Sequence, residues 1–357
     1  MEFWTLGGTA IASVGRQAAT AESDGWDGML IPDTQSILGD VYVSLTSAAL
    51  VTTSLQLGTG VTNPFTRHPA VAAAAIAGIQ ELSGGRAVFG VGRGDSALAH
   101  LGLAPAPPAV FERFLDQVQR YLRGDAVAFE ATDRVGMRGV EVLPVAGRPD
   151  SGKLHWLNST LPKVPVDVAA TGPKVIALAA VHADRMTFAV GADTGRLGWA
   201  MGTARQARQR AGLDPDALSF GAYVNVIAHP DRAVALRLAA TGVTTLSRFS
   251  ALHGSVSSSV SENDAKTLRG LTATYDMRQH GSATAAHHAA VDEDYVGRFG
   301  IAGPARHCID RLDELVEIGI SRVVVLGGFP DGSDRVADEL AESRASLRDE
   351  VMPALRG

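Results

Sequence analysis

The sequence has little of what marks secreted, membrane-spanning or metal-binding proteins. It contains one cysteine, Cys308, so neither a disulfide within the chain nor a cysteine metal site is expected. The chain begins with Glu2-Phe3-Trp4-Thr5, without a basic stretch or a long apolar run, which argues against a secretion signal or a membrane span. These absences predict a cytoplasmic protein that has no membrane partner.

Charge is also scarce. Asp, Glu, Lys and Arg make up 20% of the residues, against about 25% in a typical globular protein. The net charge is −6, and the basic residues form no cluster, so we expect a small-molecule substrate and no nucleic-acid partner. Because 46% of the residues are hydrophobic and 39 are glycine, the composition favours an α/β protein with a large core.

Apolar runs alternate with helical patterns along the whole chain. Eight such runs, each followed by a helix, predict a (β/α)8 TIM barrel with insertion segments. An open, doubly wound sheet is the alternative, but it would normally have fewer strands. The predicted strands are residues 2–6, 28–31, 55–61, 87–91, 166–170, 185–190, 220–228 and 321–326.

The alternation is interrupted twice, and neither interruption resembles a linker between domains. We therefore predict one domain over residues 1–357, with insertions at about 124–164 and 240–300. The first insertion is predicted to hold a hairpin or short strands, with β-like pieces at 139–143 and 153–157. The second is polar, helical and irregular, and its serine-rich stretch at 253–261 is typical of a mobile loop.

The carboxyl ends of the strands are where a barrel of this kind places its active site. Four of these ends are rich in glycine, which allows a ligand to approach the backbone closely. One glycine cluster alone is more often a tight turn, but four on one face favour a binding site. Thr171-Gly172-Pro173-Lys174 also leads directly into a helix, whose free N–H groups could hold a phosphate.

Few side chains at these strand ends can transfer a proton. Asp33, His68 and Asp95 are the candidates, although each could simply cap a helix or turn. His287-His288 and the acidic run 292–294 lie in a polar helical stretch, so we interpret them as a solvated face and predict no metal site. The shortage of acids and bases favours a bound organic cofactor.

Three runs of residues carry a family resemblance: 58–69 (GTGVTNPFTRHP), 82–86 (LSGGR) and 90–95 (GVGRGD). Together they are similar to the bacterial luciferase-like flavin and deazaflavin oxidoreductase superfamily. The sequence looks closest to its branch containing methylenetetrahydromethanopterin reductase, which uses coenzyme F420. Residues 169–174 and 190–193 also resemble that branch, and the likeness covers most of residues 1–230.

The resemblance implies a cofactor at the carboxyl ends of the strands, F420 or alternatively FMN. It also implies a cis peptide bond between Gly60 and Val61, in a bulge of the third strand, and phosphate binding near Gly172 and Gly191. The reductases often have a glutamate after the fourth strand, where this sequence has Arg93 and Asp95. The residues that match cofactor contacts are Asp33, Gly60, Val61, Thr62, Asn63, Gly92, Gly94, Asp95, Ala170, Thr171, Gly172, Gly191 and Ala192.

Three functions follow as hypotheses. The first is hydride transfer between C5 of F420 and a small organic substrate, with Asp33, His68 or Asp95 handling the proton. The second is an FMN-dependent monooxygenase, and the third is a non-catalytic flavin- or ligand-binding barrel. The sequence does not identify the substrate. Thr34 stands where the glucose-6-phosphate dehydrogenases of the family have a histidine, which argues against that activity. The family often dimerises, and the apolar second and third helices could form a homodimer interface.

Overall fold

The computed structural model describes residues 1–8, 10–129, 139–251 and 260–356. Eight parallel strands close into a ring in the order β1, β2, β3, β4, β7, β8, β9 and β11, and β11 returns to β1. The predicted barrel is therefore confirmed. The strands are β1 (Glu2–Leu6), β2 (Gly28–Ile31), β3 (Gln56–Thr59), β4 (Ala87–Val91), β5 (Val127–Ala128), β6 (Ser151–Gly152), β7 (Val166–Ala170), β8 (Arg185–Phe188), β9 (Ser219–Ala228), β10 (Ile301–Gly303) and β11 (Arg322–Leu326).

Helices surround the ring, and their starts follow the local sequence. Asp40 caps α2 by accepting from Tyr42 and Val43 N–H groups, and Pro69 occupies the first turn of α3, where no N–H is needed. The helices are α1 (Ile11–Ser23), α2 (Val41–Ala49), α3 (Pro69–Leu82), α4 (Ser96–Ala99), α5 (Pro108–Arg123), α6 (Pro173–His182), α7 (Thr194–Arg210), α8 (Arg232–Ser247), α9 (Glu262–Thr274), α10 (Glu293–Phe299), α11 (Ala305–Glu317), α12 (Asp334–Ser346) and α13 (Met352–Ala354).

The end of β3 differs from a plain strand. Its pairing with the neighbouring strands stops at Thr59, two residues before the predicted end. The peptide bond between Gly60 and Val61 is cis, as the resemblance implies. One isolated bridge, between Thr62 and Val91, then joins the chain to the end of β4.

The first insertion contains a short hairpin, made by antiparallel pairing of β5 and β6. The strands predicted at 139–143 and 153–157 are wrong. Val140–Val142 is a turn of 3₁₀ helix, and residues 153–157 form no strand. For the first strand the physical reason is exposure, since 141–150 lie on the surface and have no apolar layer against which a strand could pack. In 153–157 only Leu154 is buried, which is too little for a strand face.

The second insertion folds into α8, α9 and α10 and returns to the barrel through β10. This three-residue strand was not predicted, and it extends the sheet beside the last residues of β9. The predicted serine-rich loop at 253–261 lies outside the described residues, apart from its last two positions.

Two apolar layers form the core. One lies between the outside of the barrel and its helices, with Phe3, Phe89 and Phe188 among its buried residues. The other joins the inside of the barrel, including Trp4, to α8 and to Phe299 of α10. The second insertion therefore covers one end of the barrel interior. In the part of the chain that the structure describes, no helix is both long and apolar enough to cross a membrane.

Candidate active site

Asp33 is the most enclosed polar side chain after β2, with 1% of its surface exposed. Its carboxylate accepts hydrogen bonds from three side chains. Thr62 Oγ1 and Arg67 Nη1 each lie 2.6 Å from Oδ2, and Gln35 Nε2 donates to Oδ1. Because Thr62 and Arg67 both follow β3, this carboxylate fixes the loop after β3 to the end of β2.

Arg67 extends the same network to the surface. Its second nitrogen, Nη2, lies 2.8 Å from Asp40 Oδ2, and its guanidinium lies 4.8 Å from the centre of the Tyr42 ring. Burial disfavours the charged guanidinium, but the charge of Asp33 together with the hydrogen bonds to Asp33 and Asp40 outweighs burial, and the pKa of Arg67 is raised. One cation therefore joins two carboxylates, the first buried and the second at the start of α2.

Glycines allow the ends of β3 and β4 to meet. A Cβ atom on Gly90 would lie 1.9 Å from the carbonyl oxygen of Thr59, and one on Gly60 would lie 2.6 Å from Leu30 Cβ. On Gly92 it would lie 3.2 Å from Val61 Cγ2. Close packing of the backbone thus already accounts for glycine at positions 60 and 90.

Asn63 follows the bulge and is buried. Its Oδ1 accepts the N–H groups of Phe65 and Thr66, at 3.0 and 3.1 Å, and so shapes the turn. Its Nδ2 finds no hydrogen-bond acceptor among the described residues. Gly94 lies against Asn63, with a φ of 83° that a residue with a side chain rarely adopts. A buried amide donor is therefore left over where the loops after β3 and β4 touch.

Asp95 begins α4 but makes no capping hydrogen bond there. Instead, its carboxylate is in ion-pair contact with Nη2 of Arg248, which lies just beyond α8 and is 4% exposed. The second insertion therefore reaches the β4 end of the barrel at this ion pair.

The guanidinium of Arg248 packs against two aromatic rings, 4.5 Å from the centre of Phe249 and 5.0 Å from that of Tyr275. The Tyr275 hydroxyl lies 2.7 Å from Nδ1 of His280, and its ring stacks on His287 at 4.1 Å. Burial lowers the pKa of His280 to about 3, and the charge of Arg248 adds to this effect. Burial likewise raises the pKa of Tyr275. At neutral pH, His280 and Tyr275 are therefore uncharged.

The two predicted phosphate positions differ. Gly172, before α6, is open, because a Cβ there would meet no described atom within 4 Å, and no side chain caps this helix. Gly191 is covered by α10, since a Cβ there would lie 2.7 Å from the Phe299 ring. The N–H of Ala192 already donates to the Phe299 carbonyl, at 2.7 Å. The structure therefore leaves a free helix start at Gly172 and a closed backbone at Gly191 and Ala192.

His68 caps α3, with Nδ1 accepting the N–H of Ala70 at 3.2 Å. Helix capping is the alternative to proton transfer that the sequence left open for His68. His287 and His288 are adjacent, with ring centres 4.8 Å apart. The interpretation as a solvated face is wrong for His287, which is buried against the ring of Tyr275, and holds for the acidic run 292–294, which is exposed. Even so, the described part of the chain contains no cluster of three or more His, Cys, Asp or Glu that could hold a metal ion.

The structure thus brings Asp33, Thr62, Asn63, Gly92, Gly94 and Asp95 together in the loops after β2, β3 and β4. Ala170, Thr171 and Gly172 follow at the next strand of the ring. Sequence reasoning missed Arg67, Arg248 and Tyr275. Arg67 could have been identified from the sequence, because a buried carboxylate at a strand end needs a cation. No sequence pattern marks Arg248 and Tyr275, since they lie in an irregular segment without a motif.

Comparison with known proteins agrees with this architecture. The sequence model of the family described as luciferase-like monooxygenase matches residues 3–322. A 5,10-methylenetetrahydromethanopterin reductase from Methanolobus tindarius is 26% identical, covering 91% of this chain and 92% of its own. The enzyme of the same name from Archaeoglobus fulgidus is 29% identical, covering 94% and 93%. The solved coenzyme F420-dependent tetrahydromethanopterin reductase from Methanopyrus kandleri superposes with a TM-score of 0.70, at 21% identity, over 99% of this chain and 98% of that one.

Proposed function

This chain belongs to the luciferase-like monooxygenase family, and we propose that within it the chain is a coenzyme F420-dependent oxidoreductase acting on a small organic molecule. The observation that carries the proposal is the match to methylenetetrahydromethanopterin reductases over more than nine tenths of the chain. The similar solved structure from Methanopyrus kandleri is of a coenzyme F420-dependent reductase, which adds support for the cofactor. An FMN-dependent monooxygenase is the alternative that the family description keeps open.

The residues at the strand ends suit a flat, polar ring with an anionic tail. The unpartnered Nδ2 of Asn63 is a buried donor for a ring carbonyl, and the glycines at 92 and 94 keep side chains away from it. The open start of α6 at Gly172 offers free N–H groups to a phosphate. We propose that Asp33, Gly60, Val61, Thr62, Asn63, Gly92, Gly94, Asp95, Ala170, Thr171 and Gly172 form the cofactor site. Gly191 and Ala192 are left out of this proposal, because Phe299 covers the first and accepts the N–H of the second.

When bound, F420 supplies the hydride or accepts it. The task of the surrounding residues is to hold the loops in place. The pairing of Asp33 with Thr62 and Arg67 fixes the β3 loop before any ligand arrives. Proton handling by Asp33, His68 or Asp95 stays a prediction, and each is already engaged, with Arg67, the start of α3 and Arg248 respectively.

A titration of the full chain with F420 and with FMN, followed by fluorescence, tests the proposal. We expect F420 to bind at micromolar concentration and FMN much more weakly. Asn63→Ala should weaken F420 binding by about 3- to 10-fold through loss of a hydrogen bond. Asn158→Ala, at an exposed turn, is the matched control and should leave it unchanged.

Selective FMN binding with oxygen consumption by the reduced flavin would replace this proposal by the monooxygenase. Failure of both cofactors to bind would instead favour a ligand-binding barrel without catalysis.

We also propose that the chain forms a homodimer through α2 and α3 and remains a single cytoplasmic domain. Val43, Leu50 and Val71 support the dimer, with 53%, 68% and 56% of their surfaces exposed. Sedimentation should give a dimer for the native chain and a monomer for Leu50→Glu with Val71→Glu. Val316→Glu, at an exposed apolar site on α11, should remain dimeric. A native monomer would contradict the dimer.

A further inference from the structure

Arg248 has a guanidinium group that is buried and largely unused. The side chain is 4% exposed, yet none of its three nitrogens makes a well-aligned hydrogen bond within the described part of the chain, although the Tyr275 hydroxyl lies close enough to interact with it. Buried polar groups are nearly always hydrogen-bonded, and an unbonded charged one is especially costly. The guanidinium also packs against the rings of Phe249 and Tyr275, which restrict its movement. A rigid set of donors without acceptors is what a binding site presents before its ligand arrives.

The contact with Asp95 does not satisfy these N–H donors. Asp95 Oδ2 touches Arg248 Nη2 and offsets its charge, but neither atom meets its partner in hydrogen-bonding geometry. A carboxylate oxygen thus lies beside the guanidinium without using its paired N–H groups. This is an arrangement that a better-placed carboxylate could replace.

The guanidinium of Arg248 lies beside the proposed cofactor site. Asp95 follows Gly92 and Gly94 in the loop after β4, so Arg248 is one contact away from that loop. The other side chains against it are the hydroxyl and ring of Tyr275, with His280 and His287 behind them. His287 is 2% exposed and its Nε2 also lacks a partner among the described residues. These groups add hydrogen-bonding capacity rather than opposing charge.

We propose that Arg248 is the recognition group for the carboxylate of an organic-acid substrate, which takes the place of Asp95 beside the guanidinium. The inference rests on the proposed function, because it names the substrate class of the same site. A carboxylate is favoured over other anions because the group that now lies beside the guanidinium, Asp95, is itself a carboxylate. Its planar pair of oxygens also suits the fork of N–H donors. Asp95 holds the arginine in position while the site is empty.

The test measures calorimetric binding of short 2-oxo acids to the full chain, without cofactor and with F420. The acids are pyruvate, 2-oxobutyrate and phenylpyruvate, with pyruvamide as the uncharged match to pyruvate and methylphosphonate as a non-planar anion. We expect at least one acid to bind and the amide and phosphonate to bind much more weakly. Arg248→Met should weaken acid binding by about 10- to 100-fold, with Arg248→Lys between the two.

A second variant separates a binding site from a structural ion pair. Asp95→Asn removes the internal competitor, so acid binding should become tighter, by about threefold or more if the ion pair resembles exposed ones. If Arg248 served only to fasten the second insertion, both Arg248→Met and Asp95→Asn would weaken binding together. Circular dichroism and thermal unfolding identify any variant that fails to fold, and Arg248→Lys then carries the comparison.

Several results would overturn the inference. They are no binding by any of the acids, equal binding of pyruvate and pyruvamide, preference for the phosphonate, or acid binding that survives Arg248→Met. A matching loss of F420 affinity in Arg248→Met would assign this arginine to the cofactor instead. Acid binding that depends on Arg248 in a protein that binds no F420 would keep the anion site and reject the proposed function.

Discussion

Arg67 and Arg248 illustrate two ways of burying a positive charge at the same end of one barrel. Arg67, in the loop after β3, hydrogen-bonds to Asp33 and Asp40 at 2.6 and 2.8 Å. Arg248, after α8, touches one carboxylate and makes no well-aligned hydrogen bond among the described residues. The first region is therefore complete as it stands, whereas the second has donors left over. We infer that the barrel loops are organised in advance and that the insertion is completed by its ligand.

The largest effect should come from the contact between β3 and β4. Gly90→Ala would place Cβ 1.9 Å from a backbone oxygen that cannot move without opening the sheet. We expect a loss of about 5 kcal/mol or more in the free energy of unfolding, or failure to fold. Gly172→Ala, where the same atom meets open space, should stay within about 0.5 kcal/mol of the native protein. Denaturant unfolding measures the free energy of unfolding of both variants. Equal losses would refute the view that the barrel at the ends of β3 and β4 is closely packed.

Removing Arg67 should have the next largest effect. Arg67→Met leaves Asp33, 1% exposed, without its cation, and we expect a loss of about 3–5 kcal/mol. The control is Arg306→Met, which breaks an ion pair of 2.7 Å on the surface of α11 and should cost less than about 1 kcal/mol. Urea unfolding of both proteins makes the comparison. A small cost for Arg67→Met would mean that the Asp33 network is not what fixes the β3 loop.

A smaller effect, dependent on pH, should come from Glu22. Its Oε1 accepts the N–H groups of Thr53, Ser54 and Leu55 at the start of β3. Although burial opposes the charge, these bonds lower the pKa of Glu22 from 4.5 to about 2. The folded pKa lies below the unfolded one, so the stabilisation is present above pH 4.5 and is lost as the pH falls towards 2.

Because Glu22 is partly exposed, solvent screening reduces this contribution to about 1–2 kcal/mol at pH 7. Glu22→Gln should cost that amount at pH 7 and flatten the dependence of stability on pH between 4.5 and 2. Glu317→Gln, at an exposed position on α11, should keep the native profile. Thermal unfolding across this pH range gives the profiles, and parallel curves for native protein and Glu22→Gln would contradict the assignment.

The smallest effect on stability is expected from removing the ion pair of the second insertion. Comparing it with the ion pair of Arg67 gives the clearest contrast between the two arginines. Arg248→Met combined with Asp95→Asn removes both charges of the second region, and buried pairs replaced in this way are often neutral for stability. We expect a change within about 1 kcal/mol in urea unfolding. The matching pair, Arg67→Met with Asp33→Asn, should remain clearly destabilising because Thr62 and Gln35 also donate to Asp33. Equal costs for the two double variants would remove the distinction between the regions.

The barrel could be predicted because strands buried on both faces appear as short apolar runs, as in Ala87–Val91 and Arg322–Leu326. The rule that parallel strands gather their carboxyl ends then placed Asp33 near Thr62 without knowledge of any contact. β10 escaped prediction because three residues show no periodicity. The strands predicted at 139–143 and 153–157 failed because β-like composition without a buried face does not make a strand.

The candidate site was less predictable wherever partners come from distant segments. His68 drew attention as a titratable residue, whereas its neighbour Arg67 forms the ion pair with Asp33. Arg248 meets Asp95 across 153 positions of sequence, and the meeting depends on the path of α8 over the barrel. No local pattern encodes that path, since α8 is positioned by packing against β9, β10 and α10.

The short strand β10 has a practical consequence for engineering. Ile301 pairs with Val226 and Gly303 with Ala228, so the second insertion leaves and re-enters the barrel at adjacent strands. The ring itself closes separately, through β9 and β11. The span between β9 and β10 is thus anchored at two neighbouring points and could be exchanged as a cassette. Transplanting the equivalent span from a relative would change the chemistry above the barrel while leaving its closure intact.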